Sequence, residues 1–446
     1  QLADLTGLSP TLLQVGLATV EGEGSAIQGR FTRADGDSAN GGPANGSPAN
    51  GDREQQVEWC SRRLLARMHG RSRQTRRRAV DPVTPELFMR FLCRWQHAAP
   101  GTQVTSPAGL QRVLEQLQGW EAAVASWEPD ILGARVRGYQ QPWIDRLCHD
   151  GEIQWLRLSP PAGSDPDRPG GRVSKATPVS IVHRQDLPWL LAAHRGEAET
   201  PEPTTGAVAE IVGALAEHGP RFLTQLATDT GRLPTDIESA LWEGVARGLF
   251  TADGFEAVRS LTTPPARQRH EARQRRQQTR ALSRLRRSGV KAAHSAGRWS
   301  LVPAVDPGDA LERDELVEAL ADQLLQRWGV LFYDLVAHEN SRGGLAIPWR
   351  DLQWALRRLE DRGQIKGGRF VKGFSGEQFA LPEAVESLKL VRRMAGAKSG
   401  GAKVGGGPNR RETLTVCGSD PLNLTGVILP GPRVPARRTE SVVLPC

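Results

Sequence analysis

The sequence predicts a mainly α fold with small β wings: tandem winged-helix modules followed by a small β-barrel-like tail. Three observations predict it. An order of helix, helix, turn, helix and short alternating strands occurs twice in clear form, near 204–262 and 313–380. The chain has 446 residues, too many for one hydrophobic core, so several small units are required. Short β-like runs interrupted by polar turn residues close the sequence.

Residues 1–33 read as a partial winged helix, with LADLTGLSPTLLQVGLATVEGEG as turn and helix and SAIQGRFT as strand. Residues 34–53 repeat PANG and are too poor in apolar side chains to order themselves, so a disordered insertion is expected there. Residues 54–200 hold one or two further helical or winged-helix modules, in which EQQVEWCSRRLLARMHG, TPELFMRFLCRWQHA, AGLQRVLEQLQG and PWIDRLCHDG are helices. The strand EIQWLRL follows, with RVSKATPVSIVHR as its partner.

Residues 201–262 form the clearest module. Val208, Ile211, Val212 and Leu215 share a helical face, Gly231 closes the second helix, and Ile237, Leu241, Trp242 and Val245 repeat in the third. LFTAD and FEAVRSLT are expected to pair as strands across an Asp253-Gly254 turn. Residues 263–298 form a basic helical linker. Residues 299–395 repeat the winged-helix plan, with IPWRDLQWALRRLEDRGQIK as recognition helix and a wing turning at Ser375-Gly376. A Gly-rich linker at 396–411 leads to the barrel-like tail at 412–446.

A net charge of +8 favours polyanionic partners, because clustered cations release counterions when they meet phosphates. The arginine-rich runs and the recognition helix supply the nucleic-acid-binding candidates: Arg76, Arg77, Arg78, Arg273, Arg275, Arg276, Arg350, Arg357, Arg358, Lys366, Arg369 and Lys372. Twelve tryptophans recur through the modules, and the matching positions of Trp242 and Trp354 in their helices point to packing rather than base stacking.

Several chemistries are excluded by pattern. No Gly-Lys-Ser/Thr phosphate loop is present, and GRVSKAT at 171–177 and GAKSGG at 396–401 lack the glycine before the lysine. Nucleophile elbow, dinucleotide fingerprint and paired-histidine motifs are also absent. The five cysteines are scattered without ligand spacing, so no metal and no cofactor is expected in this chain. No apolar run approaches the roughly 18 residues of a membrane span, so no membrane partner and a cytoplasmic location are expected. Asp420, within SDPLNLTG, is the one catalytic candidate, a carboxylate suited to stabilising positive charge on a sugar; ordinary turn chemistry explains the same residues.

Long strings resemble the C-terminal region of the bacterial large helicase-related family, Lhr, a group of ATP-dependent DNA helicases. They are PVTPELFMRFLCRWQHAAPG at 82–101, GLQRVLEQLQGWEAAVASWEPDILGARV at 109–136, PWIDRLCHDGEIQWLRLSP, HGPRFLTQLA, GGRFVKGFSGEQFALPEAVESL and SDPLNLTGVILPGPRVPA. The resemblance implies an upstream helicase core of the same polypeptide that binds ATP and Mg, a role in DNA repair, and self-association of this region as a homotetramer. It also implies a likeness to glycosylases acting on uracil or alkylated bases. Three readings follow: an oligomerisation and DNA-binding region without ATPase motifs, binding single-stranded or duplex DNA with little sequence preference; a glycosylase-like module; and a winged-helix transcription factor.

Overall fold

The computed structural model describes residues 2–29, 58–78, 81–159, 176–196, 206–262, 297–303, 311–400, 413–436 and 441–445. Two units, 1–80 and 81–446, are each internally connected. Among the described residues, no helix is long and apolar enough to cross a membrane.

In the first unit, α1 (Leu2–Thr6) and α2 (Pro10–Gly22) lead into β1 (Ala26–Gly29), with Pro10 opening α2 behind Ser9. Strand β1 pairs antiparallel with β2 (Glu58–Ser61), Gly29 opposite Glu58 and Ala26 opposite Ser61. The expected disordered insertion therefore separates two paired strands, and it lies outside the described residues. A helix expected from Glu54 onwards starts only at α3 (Arg62–Arg78), because residues 58–61 satisfy their backbone groups on β1.

The second unit begins with α4 (Pro85–Trp95), capped by the Thr84 hydroxyl, which accepts from the Leu87 N–H at 3.4 Å. A first winged helix follows: α5 (Pro107–Leu117), β3 (Ala122–Ala123), a wide helical turn over Trp127–Leu132 running into α6 (Gly133–Arg135), α7 (Gln141–His149), β4 (Ile153–Leu156) and β5 (Pro178–His183). The later strand β5 lies between β3 and β4.

Helix α8 (Leu187–Arg195) leads to a second unit of this kind, built of α9 (Gly206–His218), α10 (Leu223–Thr230), α11 (Pro234–Ala246) and β6 (Phe250–Ala252). Here the sequence misplaced the wing. FEAVRSLT is not a strand: residues Glu256–Thr262 form α12, and β6 pairs instead with β7 (Trp299–Leu301). Phe255 and Val258 are both buried, a three-residue step that suits a helix. Arg221 bridges Trp299 on its other side, so the order of the first sheet is repeated. The basic run at 263–298 thus falls between the two wing strands rather than between modules; its residues up to 296 lie outside the described residues. Asp253 and Arg298 close the base of that wing, Arg298 Nε donating to Asp253 Oδ2 at 2.8 Å.

The third winged helix comprises α13 (Arg313–Trp328), β8 (Val330–Leu331), α14 (Tyr333–Gly343), α15 (Trp349–Asp361), β9 (Lys366–Gly368) and β10 (Gln378–Ala380), again with its last strand in the middle. The wing loop turns at Lys372-Gly373 ahead of the bend at Ser375-Gly376, Gly373 and Gly376 taking left-handed φ values of 89° and 84°. Val83 draws the chain to that earlier point: its N–H donates to Phe370 O at 2.8 Å, and Lys372 N–H donates to Val83 O at 2.9 Å. Helix α16 (Pro382–Gly400) then packs on α4 and runs into the segment expected to be linker from 396.

The first and third winged helices share a core where α5 meets α13. Trp120 and Trp328 are buried edge to face at 6.2 Å, and the buried Arg327 guanidinium lies over Trp120 at 5.9 Å. Arg327 is paired with Glu339 and donates to the Gln118 carbonyl, so its charge is held by acceptors from both modules.

The tail departs from expectation. Residues 413–445 contain β11 (Thr413–Cys417) and β12 (Ser441–Pro445), one antiparallel ribbon. A barrel needs a sheet closed on itself, and among the described residues there is none. The loop after β11 instead docks on the first winged helix, where Trp120 Nε1 donates to Ser419 O at 3.0 Å.

Candidate nucleic-acid interface

Groove reading by a winged helix requires a third helix whose outer face is exposed and carries donors or cations. The three third helices differ on this point. In α7, Ile144, Leu147 and Cys148 face the core, and Asp145 is engaged by Arg259 from α12 at 2.8 Å. Arg259 also binds Glu128 at 2.8 Å. Burial opposes the charge on its guanidinium, but the two carboxylates more than offset that and hold it firmly protonated. Arg146, exposed on α7, is paired with Asp150 at 3.3 Å. Helix α7 is therefore tied to the neighbouring module. The outer face of α11 presents Thr235, Asp236, Glu238 and Ser239, an acidic surface that repels phosphate.

Helix α15 is different. Leu352, Ala355, Leu356 and Leu359 are buried, as their spacing predicted. On the opposite face stand Arg350, Trp354 and Arg357, four and three residues apart, which 3.6-residue periodicity places in one row. Arg350 is exposed and has no intramolecular partner among the described residues. Arg357 binds Glu377 at 2.7 Å, and Gln353 Nε2 donates to the same Glu377 Oε2 at 2.9 Å. Glu377 precedes β10, so these bonds hold the wing against the outer row of the helix. The wing contributes exposed Lys366, Arg369 and Lys372.

The remaining sequence-derived candidates divide. Arg358 leaves the outer row and pairs with Asp314 of α13 at 3.0 Å. Arg77 is half-buried in α3, while the side chains of Arg76 and Arg78 lie outside the described residues, as do Arg273, Arg275 and Arg276. The structure thus gathers Arg350, Arg357, Lys366, Arg369 and Lys372 on one module and leaves Arg358 on its flank. Trp354 is the residue that sequence reasoning missed. The parallel with Trp242 misled, because Trp242 is buried among Trp155 and Trp299 whereas Trp354 is 56% exposed. Its spacing from Arg350 and Arg357 was the available signal.

Asp420 is fully buried. Its two oxygens accept from Arg135 Nη1 and Nη2, each at 2.8 Å, and Oδ1 also accepts from the Leu422 N–H at 2.8 Å. Arg135 is itself buried and further donates to Ile131 O at 3.1 Å and Gln96 Oε1 at 3.0 Å. This carboxylate joins the tail to the first winged helix and forms the kind of side-chain turn that Asp-Pro sequences favour.

Two family models described as "Large helicase-related protein, winged-helix domain" match residues 83–174 and 310–400, the first and third winged helices above. The chain belongs to the large helicase-related, Lhr, family. It is 31% identical over 340 residues to the "Lhr helicase/ probable uracil glycosylase" of Mycolicibacterium smegmatis (strain ATCC 700084 / mc(2)155), covering 74% of this chain and 21% of that protein. Against the "Lhr helicase/uracil glycosylase" of Escherichia coli (strain K12) the identity is 30% over 421 residues, 87% of this chain and 25% of that protein. This chain therefore spans a fifth to a quarter of the length of these Lhr relatives. The basic outer row of α15 and its wing both fall within the Lhr winged-helix domain at 310–400.

Proposed function

We propose that this chain is the C-terminal DNA-binding region of an Lhr-type ATP-dependent helicase, and that it engages DNA through the winged helix at 310–400. The observation that carries the reading is the contrast among third helices. Helix α7 is tied down by Arg259, α11 is acidic, and α15 alone of the three presents, among the described residues, an exposed arginine with no carboxylate partner. Lys366, Arg369 and Lys372 on the wing add phosphate contacts with little sequence preference. Reversing charge at Arg350 and Lys372 should weaken binding of any labelled oligonucleotide by anisotropy. The slope of log affinity against log salt should fall by about one for each phosphate that is no longer neutralised. Unchanged affinity and slope would refute the assignment.

The same reading places the ATP- and Mg-binding core upstream in the same polypeptide and assigns the basic run with Arg273, Arg275 and Arg276 a second, non-specific DNA-binding role. It further places the protein in the cytoplasm, in DNA repair, as a homotetramer built through this region. Light scattering on the isolated chain tests the last point, and a monomer at micromolar concentration would remove it. Uracil excision, named for both relatives, is the second reading for this chain. A carboxylate role for Asp420 would require the Arg135 pair to part. Cleavage of a uracil-containing oligonucleotide that is equal in the native chain and in Asp420→Asn would remove Asp420 from that role.

A further inference from the structure

Trp354 poses a problem that the assignment of α15 as a DNA-binding helix does not solve. A 56%-exposed indole on a folded domain gives up the burial that usually stabilises tryptophan. Its neighbours along the outer row of the helix, Arg350, Arg357 and Asp361, are all charged. A protein partner recognising this face through apolar contact would need a wider patch. A nucleobase would not, since one base covers one ring and its phosphates fall on flanking cations.

The ring is also held in place. The Arg357 guanidinium lies over the Trp354 ring, 5.7 Å from its centroid, and is fixed there by Glu377 at 2.7 Å. Gln353 holds the same carboxylate from the adjacent turn. Such backing keeps a flat side chain oriented on an exposed helix at little further entropy cost on binding. The charge of Arg357 is already matched by Glu377, which leaves Arg350, one helical turn before Trp354, as the cation for the phosphate of a stacked nucleotide. Bases inside a duplex are stacked on one another and offer no face, so this arrangement discriminates for unpaired nucleotides.

We infer that Trp354 is a base-stacking platform for single-stranded DNA, backed by Arg357 and Glu377 and flanked by Arg350; the inference rests on α15 being a DNA-contacting helix. The test measures affinities of the full chain for a fluorescein-labelled single-stranded oligonucleotide and for a blunt duplex of the same length, at fixed salt. Trp354→Ala should weaken single-strand binding about 5- to 150-fold, the range that loss of one stacked base gives, and change duplex binding less than about twofold. Trp354→Phe should recover part of the loss. Arg350→Glu should weaken both substrates. If Trp354→Ala leaves single-strand binding unchanged while Arg350→Glu weakens both, stacking is overturned and the role of α15 stands. If Trp354→Ala weakens both substrates equally, selection of unpaired bases is overturned. If neither variant changes either affinity, the stacking inference and the α15 assignment both fall.

Discussion

Removing the Asp420 carboxylate should detach the tail from the first winged helix. Arg135 has no exposed surface, and its two terminal nitrogens share four acceptors: two carboxylate oxygens of Asp420, the Ile131 carbonyl and the Gln96 side chain. In Asp420→Ala two of the four disappear, together with the only charge among them. The guanidinium is then buried without a counter-ion, a state that costs about 3–5 kcal/mol. At about 2.1 cal/mol/K of unfolding entropy per residue, a unit of this size shifts by roughly 1.3 °C per kcal/mol, so the melting temperature of residues 81–446 should fall by about 4–6 °C. The loss has a ceiling, because the loop after β11 can leave its site and admit water to Arg135. Hydrogen exchange across 413–436 therefore accompanies the melt, and faster exchange there is expected. Replacing both partners by apolar residues, Arg135→Met with Asp420→Leu, should recover most of the loss, since an apolar pair of similar volume leaves nothing unsatisfied. A single variant melting within about 1 °C of the native chain, with unchanged exchange in the loop, would refute this account.

Other buried groups give further outcomes. Burial pushes the Glu121 carboxyl up to about 7, against the opposing pull of Arg157 and the Ser159 and Leu158 N–H donors. Its folded value exceeds its unfolded one, so its contribution is fully present below pH 4.5 and is lost as pH rises to 7. Thermal melts should show Glu121→Gln equal to the native chain at low pH and more stable by up to about 3 kcal/mol at pH 8. Gly244 lies under the Phe250 ring, and a Cβ added there would overlap it, so Gly244→Ala should destabilise the second winged helix by about 1–3 kcal/mol in a denaturant melt. Arg259→Ala leaves Glu128 and Asp145 without their shared partner, and should speed proteolysis of the 206–262 module without changing DNA affinity at α15.

Where side-chain period alone decides structure, the sequence was legible. Leu352, Ala355, Leu356 and Leu359 recur at helical spacing because one face of α15 must leave water, and they are the residues buried. The strand Ile153–Leu156 and its partner around Pro178–His183 were readable for the same reason. What failed depends on pairing between distant residues. FEAVRSLT was compatible with a strand, but β6 had its hydrogen bonds met by Trp299–Leu301, far along the chain. The tail's β propensity allowed a barrel, but two strands make a ribbon, and the loop between them places the Ser419 carbonyl on Trp120 and the Asp420 carboxylate on Arg135.

The site followed the same division. Composition and helical spacing determined that Arg350 and Arg357 stand away from the core of a winged helix. Only the tertiary structure decided which cations are already neutralised: Arg358 by Asp314, Arg259 by Glu128 and Asp145, Arg135 by Asp420. It also decided that Trp354 faces solvent while its counterpart Trp242 is buried against Trp155 and Trp299. An amphipathic pattern fixes which face of a helix turns inward, because burial acts on each residue by its position around the axis. Whether a given outer residue meets water or another module depends on neighbours from elsewhere in the chain, which no local pattern contains.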